Sequence, residues 1–370
     1  MSEVLYHSIH HWLSQDDRKQ VDITTHTGVS KTLISLVLEK KGRKDLKFSK
    51  SLSIFRYIEE DYLDVVDEYC RSLDKPRGIL DSLEYASTFE RHELMDDLIA
   101  KHKDYAGEVK EWVEVYRFRR DKEKMTGIEA LEKCRELYGR ITQTDAKIKL
   151  DLIEATIRFD DERYNIKDFI KRVDNKFDQL RDGFLKDSLS IRYQLNLAFV
   201  KLYELNQPKE AIDHAKSVIH SSLAPDSLIG SAHHLIGHAH MYTNYEESLK
   251  HLNWAKLFYG RAGHRKQLVI DEDIQFVMNV NKKEIDLLLL EGEELAHQFI
   301  IRGDYDSALR VLDDLEQPSS FAKLYRGMIT KNMLCIMEGY GEVRESGNVY
   351  FALFFEKAMT KVHYEKEVNK

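Results

Sequence analysis

Two sets of residues in this 370-residue sequence have the types and spacing to do chemistry. The first lies near the start. Ser30, Lys31, Thr32 and Ser35 are short or flexible hydrogen-bonding side chains of the kind that reach base edges in a DNA groove, and Gln20 stands ahead of them as a backbone contact. Lys40, Lys41, Arg43, Lys44 and Lys47 follow and lead on to Lys50 and Arg56, with Asp45 the only acid between Lys40 and Arg56, a stripe suited to phosphates. The second set is HHLIGHAH, residues 233–240, in which His234 and His238 are four apart and can share one helical face. No Cys or carboxylate accompanies them within the stretch, so hydrogen-bonded imidazoles on a groove-lining or partly buried helix are expected, with no metal and no cofactor. Other patterns fail sooner: Asp96 stands where a zinc protease motif beginning at His92-Glu93 needs its last histidine. Gly339-Tyr340-Gly341 lacks both a phosphate-loop lysine and a third spaced glycine, and nothing resembles a nucleophile elbow, so the sequence does not read as an enzyme.

The element that must position the first set is Gln20–Lys41, which reads as a helix-turn-helix. Ile23 and Thr24 give the first helix an apolar and a small residue, Gly28 supplies the reversal, Val29 packs the turn and Ser30 caps the second helix. Leu33, Ile34, Leu36, Val37 and Leu38 rest that helix on its neighbour, leaving Lys31, Thr32 and Ser35 outside. Residues 3–14 form a bracing helix through Val4, Leu5, Ile9, Trp12 and Leu13. The competing reading is a small bundle that uses the turn only for packing.

Charge agrees with a division of labour. Residues 1–57 carry +4 while the remainder carries −12 of the net −8, so a basic head is attached to an acidic body that repels phosphate. No apolar run reaches the ~18 residues of a membrane span, and the N-terminus lacks the basic start and apolar core of a secretion signal. Cys70, Cys134 and Cys335 stand far apart, which fits the cytoplasm.

The body, residues 58–370, is predicted to be all-α. Residues 127–137, 166–177, 208–219, 245–257 and 305–315 share one pattern, with Ala130, Phe169, Ala211, Ser248 and Ala308 as equivalent positions where paired helices approach. Their offsets of 39, 42, 37 and 60 are longer than the ~34 residues of a tetratricopeptide repeat, the last gap having room for two shorter units. The expected architecture is an N-terminal helix-turn-helix followed by a tetratricopeptide-like right-handed helical solenoid. An irregular all-α bundle is the alternative.

A helix-turn-helix on such a body resembles the peptide-sensing regulators of Gram-positive bacteria, the group of Rap, NprR, PlcR, PrgX and Rgg, and most nearly the AimR arbitrium receptor family. The resemblance is carried by Tyr69-Cys70 with Leu73-Asp74, Ser82-Leu83-Glu84-Tyr85-Ala86, Tyr193-Gln194, Ile236-Gly237, Asn244-Tyr245-Glu246, Ala296-His297 with Phe299, and Val311-Leu312-Asp313 with Leu315. These spread over residues 1–330, and the stretch after residue 330, where the family forms its dimers, carries little of it. The resemblance implies a homodimeric transcription regulator that binds operator double-stranded DNA and controls the lysis-lysogeny decision of a temperate Bacillus phage or related mobile element. It also implies a short secreted signalling peptide of about six residues in the solenoid groove, its terminal carboxylate captured there. Tyr203, Ser227, His238 and Glu293 align with four groove positions, and none keeps the usual residue. Asn196, His234, Tyr242, Glu291 and Arg326 complete the candidate peptide contacts, with Glu293 and Glu291 placed to pair with a peptide arginine. A Rap-like protein-interaction scaffold without DNA binding stays open; the basic stretch from Lys40 to Arg56 argues against it.

Overall fold

The computed structural model describes residues 3–39, 46–161 and 163–368. Lys40, Lys41, Arg43 and Lys44 of the basic stripe lie outside the described residues. Among the described residues every regular element is helical, as expected. No helix among them is long and apolar enough to cross a membrane.

The helices in chain order begin with α1 (Val4–Leu13), α2 (Gln20–Thr27), α3 (Lys31–Glu39), α4 (Phe48–Ile58), α5 (Tyr62–Ser72), α6 (Pro76–Thr88) and α7 (His92–His102). Next come α8 (Glu108–Asp121), α9 (Gly127–Arg140), α10 (Thr144–Asp160), α11 (Lys167–Phe177), α12 (Phe184–Phe199), α13 (Pro208–Ile219) and α14 (Asp226–His240). The last are α15 (Tyr245–Ala262), α16 (Ile270–Val280), α17 (Gly292–Arg302), α18 (Tyr305–Asp313), α19 (Ser320–Thr330), α20 (Met333–Glu345) and α21 (Val349–Val368). They gather into two compact units, Met1–Glu154 with Val173–Ser190, and Ala155–Arg172 with Ile191–Lys370.

In the first unit α4 joins the head to the helices after it. Phe48 meets Tyr69, Tyr85 and Phe184, and Ser51 Oγ lies 3.1 Å from the Tyr69 hydroxyl. Deeper in this unit sits an ion pair. Lys149 of α10 and Glu84 of α6 are both buried, 2.7 Å apart from Nζ to Oε2. Glu84 also accepts from the Tyr116 hydroxyl of α8, from Thr88 Oγ1 at 2.9 Å and from Ser188 Oγ of α12 at 2.8 Å. A carboxylate and an ammonium removed from water need such a set of partners, because an unpaired one is far more costly than a neutral group.

In the second unit consecutive helices form hairpins, α14 with α15, α17 with α18 and α19 with α20. Close approach is set by small residues. A Cβ on Gly237 of α14 would come 2.7 Å from Leu252 Cγ of α15, and Ser248 Oγ donates to the Gly237 carbonyl at 2.7 Å. Ala211, Ser248 and Ala308 are fully buried, as their repeat assignment requires.

Two details of the repeat reading need correction. Phe169 is not the packing position of its stretch: it is only half-buried, with the guanidinium groups of Arg158 and Arg172 4.5 and 4.3 Å from its ring centroid, while Ile166, Ile170 and Val173 are buried. The long gap before Ala308 holds no two short repeats. It holds α16 between two 3-10 turns, Arg265–Leu268 and Leu287–Leu289, then α17, the first helix of the next pair.

The buried pair gives a stability prediction. Glu84→Ala, which strands the Lys149 ammonium, costs about 3–5 kcal/mol, and the double variant Glu84→Met/Lys149→Met recovers most of that loss in urea unfolding. A double variant as unstable as the single one would show that the charges are not the origin of the cost.

Candidate functional site

The head has helix-turn-helix geometry for local reasons. The Lys19 amide donates to Asp22 Oδ2 at 2.8 Å, opening α2. Gly28 closes it at φ 68°, where a side chain would be strained, with its amide on Thr24 O at 2.9 Å. Val29 is buried in the turn, and Ser30 Oγ receives the Leu33 amide at 3.4 Å, a long cap. Helix α1 packs on α3 and α4, and α2 on the same two, with Ile9, Ile23, Ile34 and Phe55 all at 0% exposure. Of the apolar residues assigned to α3, only Ile34 and Val37 are fully buried; Leu33, Leu36 and Leu38 are half-buried.

Ser30, Lys31 and Thr32 are exposed at the N-terminal end of α3, and Lys47 is exposed before α4. Ser35 and Gln20 have an internal job as well: Ser35 Oγ donates to Gln20 Oε1 at 3.0 Å, fixing α2 against α3 and leaving the Gln20 amide nitrogen as a donor. Arg56 leaves the expected phosphate stripe. Its guanidinium lies over Tyr62 and Phe89, 5.4 and 5.2 Å from the ring centroids.

All the candidate peptide contacts fall in the second unit. Three of them meet. After α12 the backbone forms a π-helical turn, Val200–Glu204, an element that recurs at functional sites. Its Tyr203 hydroxyl lies 2.7 Å from His238 Nδ1. Its Glu204 carboxylate turns the other way and receives the Ile166 and Lys167 amides at the start of α11. On α14, His234 and His238 face Asp273 of α16: His234 Nε2 is 2.9 Å from Oδ2, and His238 Nε2 is 3.3 Å from Oδ1. Burial lowers the His234 pKa, opposed by Asp273. Burial alone would raise Asp273, but the two imidazoles hold its carboxyl well below the usual carboxylate range. The phenol of Tyr203 is pushed up by burial.

Tyr242 joins this cluster through Tyr350, with ring centroids 5.2 Å apart, while Tyr350 donates to the His238 carbonyl at 2.9 Å. The Tyr242 hydroxyl is buried and has no hydrogen-bond partner among the described residues. Asn196 and Ser227 are buried as well. The remaining candidates carry structural contacts of their own. Glu293 receives the Ser319 amide at 2.9 Å and the Ser319 hydroxyl at 2.6 Å, capping α19, and Arg326 pairs with Asp313 at 2.6 Å. Glu291 is exposed just ahead of α17.

Sequence reasoning missed Asp273, for which the acidic run Asp271-Glu272-Asp273 opening α16 was the available signal. It also missed a buried amide chain in which Gln298 Nε2 donates to Asn279 Oδ1 at 2.6 Å and Asn279 Nδ2 to Glu294 Oε2 at 2.5 Å. Burial pushes the Glu294 pKa up to about 7.

The profile of the AimR transcriptional regulator-like family matches residues 63–361. The chain belongs to that family. The match runs past residue 330, beyond the stretch over which the sequence resemblance is strongest. The solved structure of selenomethionine phAimR shares the fold at 19% identity, with a TM-score of 0.69 over 96% of each chain. Ligand-bound phAimR is 20% identical with a TM-score of 0.70, covering 86% of this chain and 98% of its own. No curated protein matches in a sequence search. The head, residues 1–57, precedes the stretch matched by the AimR family profile.

Acid should destabilise this AimR-family chain through histidines kept neutral by burial. The pKa values of His233, His251 and His297 are pushed down by burial to about 4, and His233 Nδ1 lies 2.9 Å from His251 Nδ1. A depressed histidine contributes stability above its unfolded pKa and loses it as pH falls toward the folded one, at about 1.4 kcal/mol per pH unit for each group. Denaturant unfolding between pH 6.5 and 4 should show this decline, and His297→Gln should flatten it; an unchanged slope in that variant would assign the loss to other groups.

Proposed function

We propose that the chain is a cytoplasmic, peptide-responsive DNA-binding transcription regulator that controls the lysis-lysogeny decision of a temperate Bacillus phage or related mobile element. Residues 1–57 read operator DNA as the heads of a homodimer, and residues 58–370 sense the peptide, with the C-terminal part pairing the protomers. It is not an enzyme in this reading. The observation that carries the proposal is the exposed N-terminal end of α3, with Ser30, Lys31 and Thr32 free to enter a major groove, in a chain of a transcriptional-regulator family. Lys31 and Thr32 contact bases. Ser35 adds a base contact beside its bond to Gln20, whose amide nitrogen joins Lys40, Lys41, Arg43, Lys44 and Lys47 on phosphates.

The peptide, about six residues long, lies along Asn196, Tyr203, Ser227, His234, His238, Tyr242, Glu291, Glu293 and Arg326, with its arginine on Glu293 and Glu291. The unpartnered Tyr242 hydroxyl supports this placement, since a ligand that satisfies a buried hydroxyl gains about 1–3 kcal/mol. Peptide binding favours a shape whose two heads no longer match the half-site spacing.

Fluorescence anisotropy with DNA from the intergenic region beside its gene, titrated with the peptide encoded by the adjacent small reading frame, tests the proposal. Specific, salt-dependent binding that the peptide abolishes is expected. Absence of specific binding with and without peptide would instead favour a protein-interaction scaffold. Lys31→Ala should weaken operator binding roughly tenfold, the 1–3 kcal/mol range of a base contact, and leave peptide affinity unchanged. Glu293→Ala should do the reverse; loss of both activities in both variants would point to misfolding. Lys41→Ala or Arg43→Ala should weaken binding to all DNA and reduce the salt slope by about one unit per contact.

A further inference from the structure

We propose that His234, His238 and Asp273 form a binding site for a divalent d-block cation, zinc being the best fit, which clasps α14 to α16. One ligand atom from each of the three lies within 4.8 Å of the other two. Each imidazole is already within about the ligand-to-ligand distance of a coordinated ion from one of the Asp273 oxygens. With metal-to-nitrogen and metal-to-oxygen bonds near 2.0–2.2 Å, neighbouring ligands of a tetrahedral zinc stand about 3.3 Å apart. The structure has 2.9 Å from His234 Nε2 to Asp273 Oδ2 and 3.3 Å from His238 Nε2 to the other carboxylate oxygen, Oδ1, so an ion would draw both imidazoles onto one oxygen or be held by the two together. Two neutral imidazoles and one carboxylate suit zinc, nickel or cobalt, whereas magnesium and calcium take oxygen sets.

The surroundings supply what a metal-bound histidine needs. His238 has its other ring nitrogen, Nδ1, 2.7 Å from the Tyr203 hydroxyl. In the cation-bound form Nδ1–H donates to Tyr203 and the Nε2 lone pair turns to the ion, the outer-shell arrangement that fixes a ligand's tautomer. Tyr203 is itself held by the π-helical turn, and the His238 carbonyl accepts from Tyr350, so the imidazole is placed from two sides. The His234 and Asp273 side chains keep 19% and 27% of their exposure, while the His234 Nε2 that would bind the ion is itself buried. Three protein ligands leave one tetrahedral position, open to water or to a donor atom of the peptide proposed to lie along the same histidines.

Metal-stripped, tag-free full-length protein should bind one zinc ion per chain in isothermal titration calorimetry, and cobalt should give the intense visible bands of a four-coordinate ion. Asp273→Asn, which keeps the side-chain volume, should weaken zinc binding at least 100-fold, and so should His234→Ala. Tyr203→Phe should weaken it about tenfold at unchanged stoichiometry. His251→Ala, which removes the neighbouring His233–His251 pair as a competing ligand set, should leave affinity unchanged. Circular dichroism checks that each variant folds, and the cobalt spectrum of the unaltered protein stands independently of the variants. No stoichiometric binding, a cobalt spectrum without those bands, affinity indifferent to Asp273→Asn, or affinity lost in His251→Ala would each overturn the proposal.

Discussion

The first unit depends on one buried ion pair. Glu84 and Lys149 stand on helices well separated in sequence, and the groups that complete their hydrogen bonds come from further elements, Tyr116 from α8 and Ser188 from α12. A buried pair adds little net stability over an apolar substitute, because desolvation offsets most of the attraction, but a misregistered packing would leave a bare charge in the interior. Its effect is therefore to exclude alternatives. The placement of α6, α8, α10 and α12 in this structure satisfies all these partners at once. Tyr85, next to Glu84, packs against Phe48 of α4, so the helix that ends the head rests on the same α6 whose register the pair fixes.

That pair also explains what could be read from sequence and what could not. Ser82-Leu83-Glu84-Tyr85-Ala86 is recognisable as a family-bearing string, yet nothing in a one-dimensional pattern says that Glu84 is buried, since its partner Lys149 lies 65 residues away. The head was legible because its determinants are local. Gly28 at positive φ, Val29 in the turn and Ser30 ahead of α3 act within a few residues of one another, and the helix boundaries follow from them. The repeats were partly legible, since small residues mark helix crossings at Ala211, Ser248 and Ala308. At Phe169 the rule misled, because an aromatic ring flanked by two arginines can cover a surface without entering a crossing.

The candidate site was half legible for a similar reason. Spacing alone placed His234 and His238 on one face, and that is where they are. What they face was out of reach, because Asp273 comes from α16, beyond the whole length of α15, and the π-helical turn that presents Tyr203 has no signature in residue type. Glu293 shows the opposite limit. A carboxylate chosen for its charge proves to hold the start of α19 through Ser319, so any ligand contact it makes must share the acid with a cap.

Individual buried polar groups differ in how completely they are satisfied, and that difference bears on sensing. Glu84 has partners on both carboxylate oxygens, which leaves a ligand little to gain there. In the second unit the Tyr242 hydroxyl is buried without a partner, and Glu294 is held by Asn279 with its pKa pushed up by burial to about 7. Unsatisfied or strained polar groups are where a ligand can bind one conformation better than another, since it supplies a bond the free protein lacks. A ligand that merely fills space without such a difference shifts no equilibrium, however tightly it binds. The polar groups around α14, α16 and the π-helical turn, the Tyr242 hydroxyl among them, are therefore a place where a bound ligand can change the energetics of the second unit.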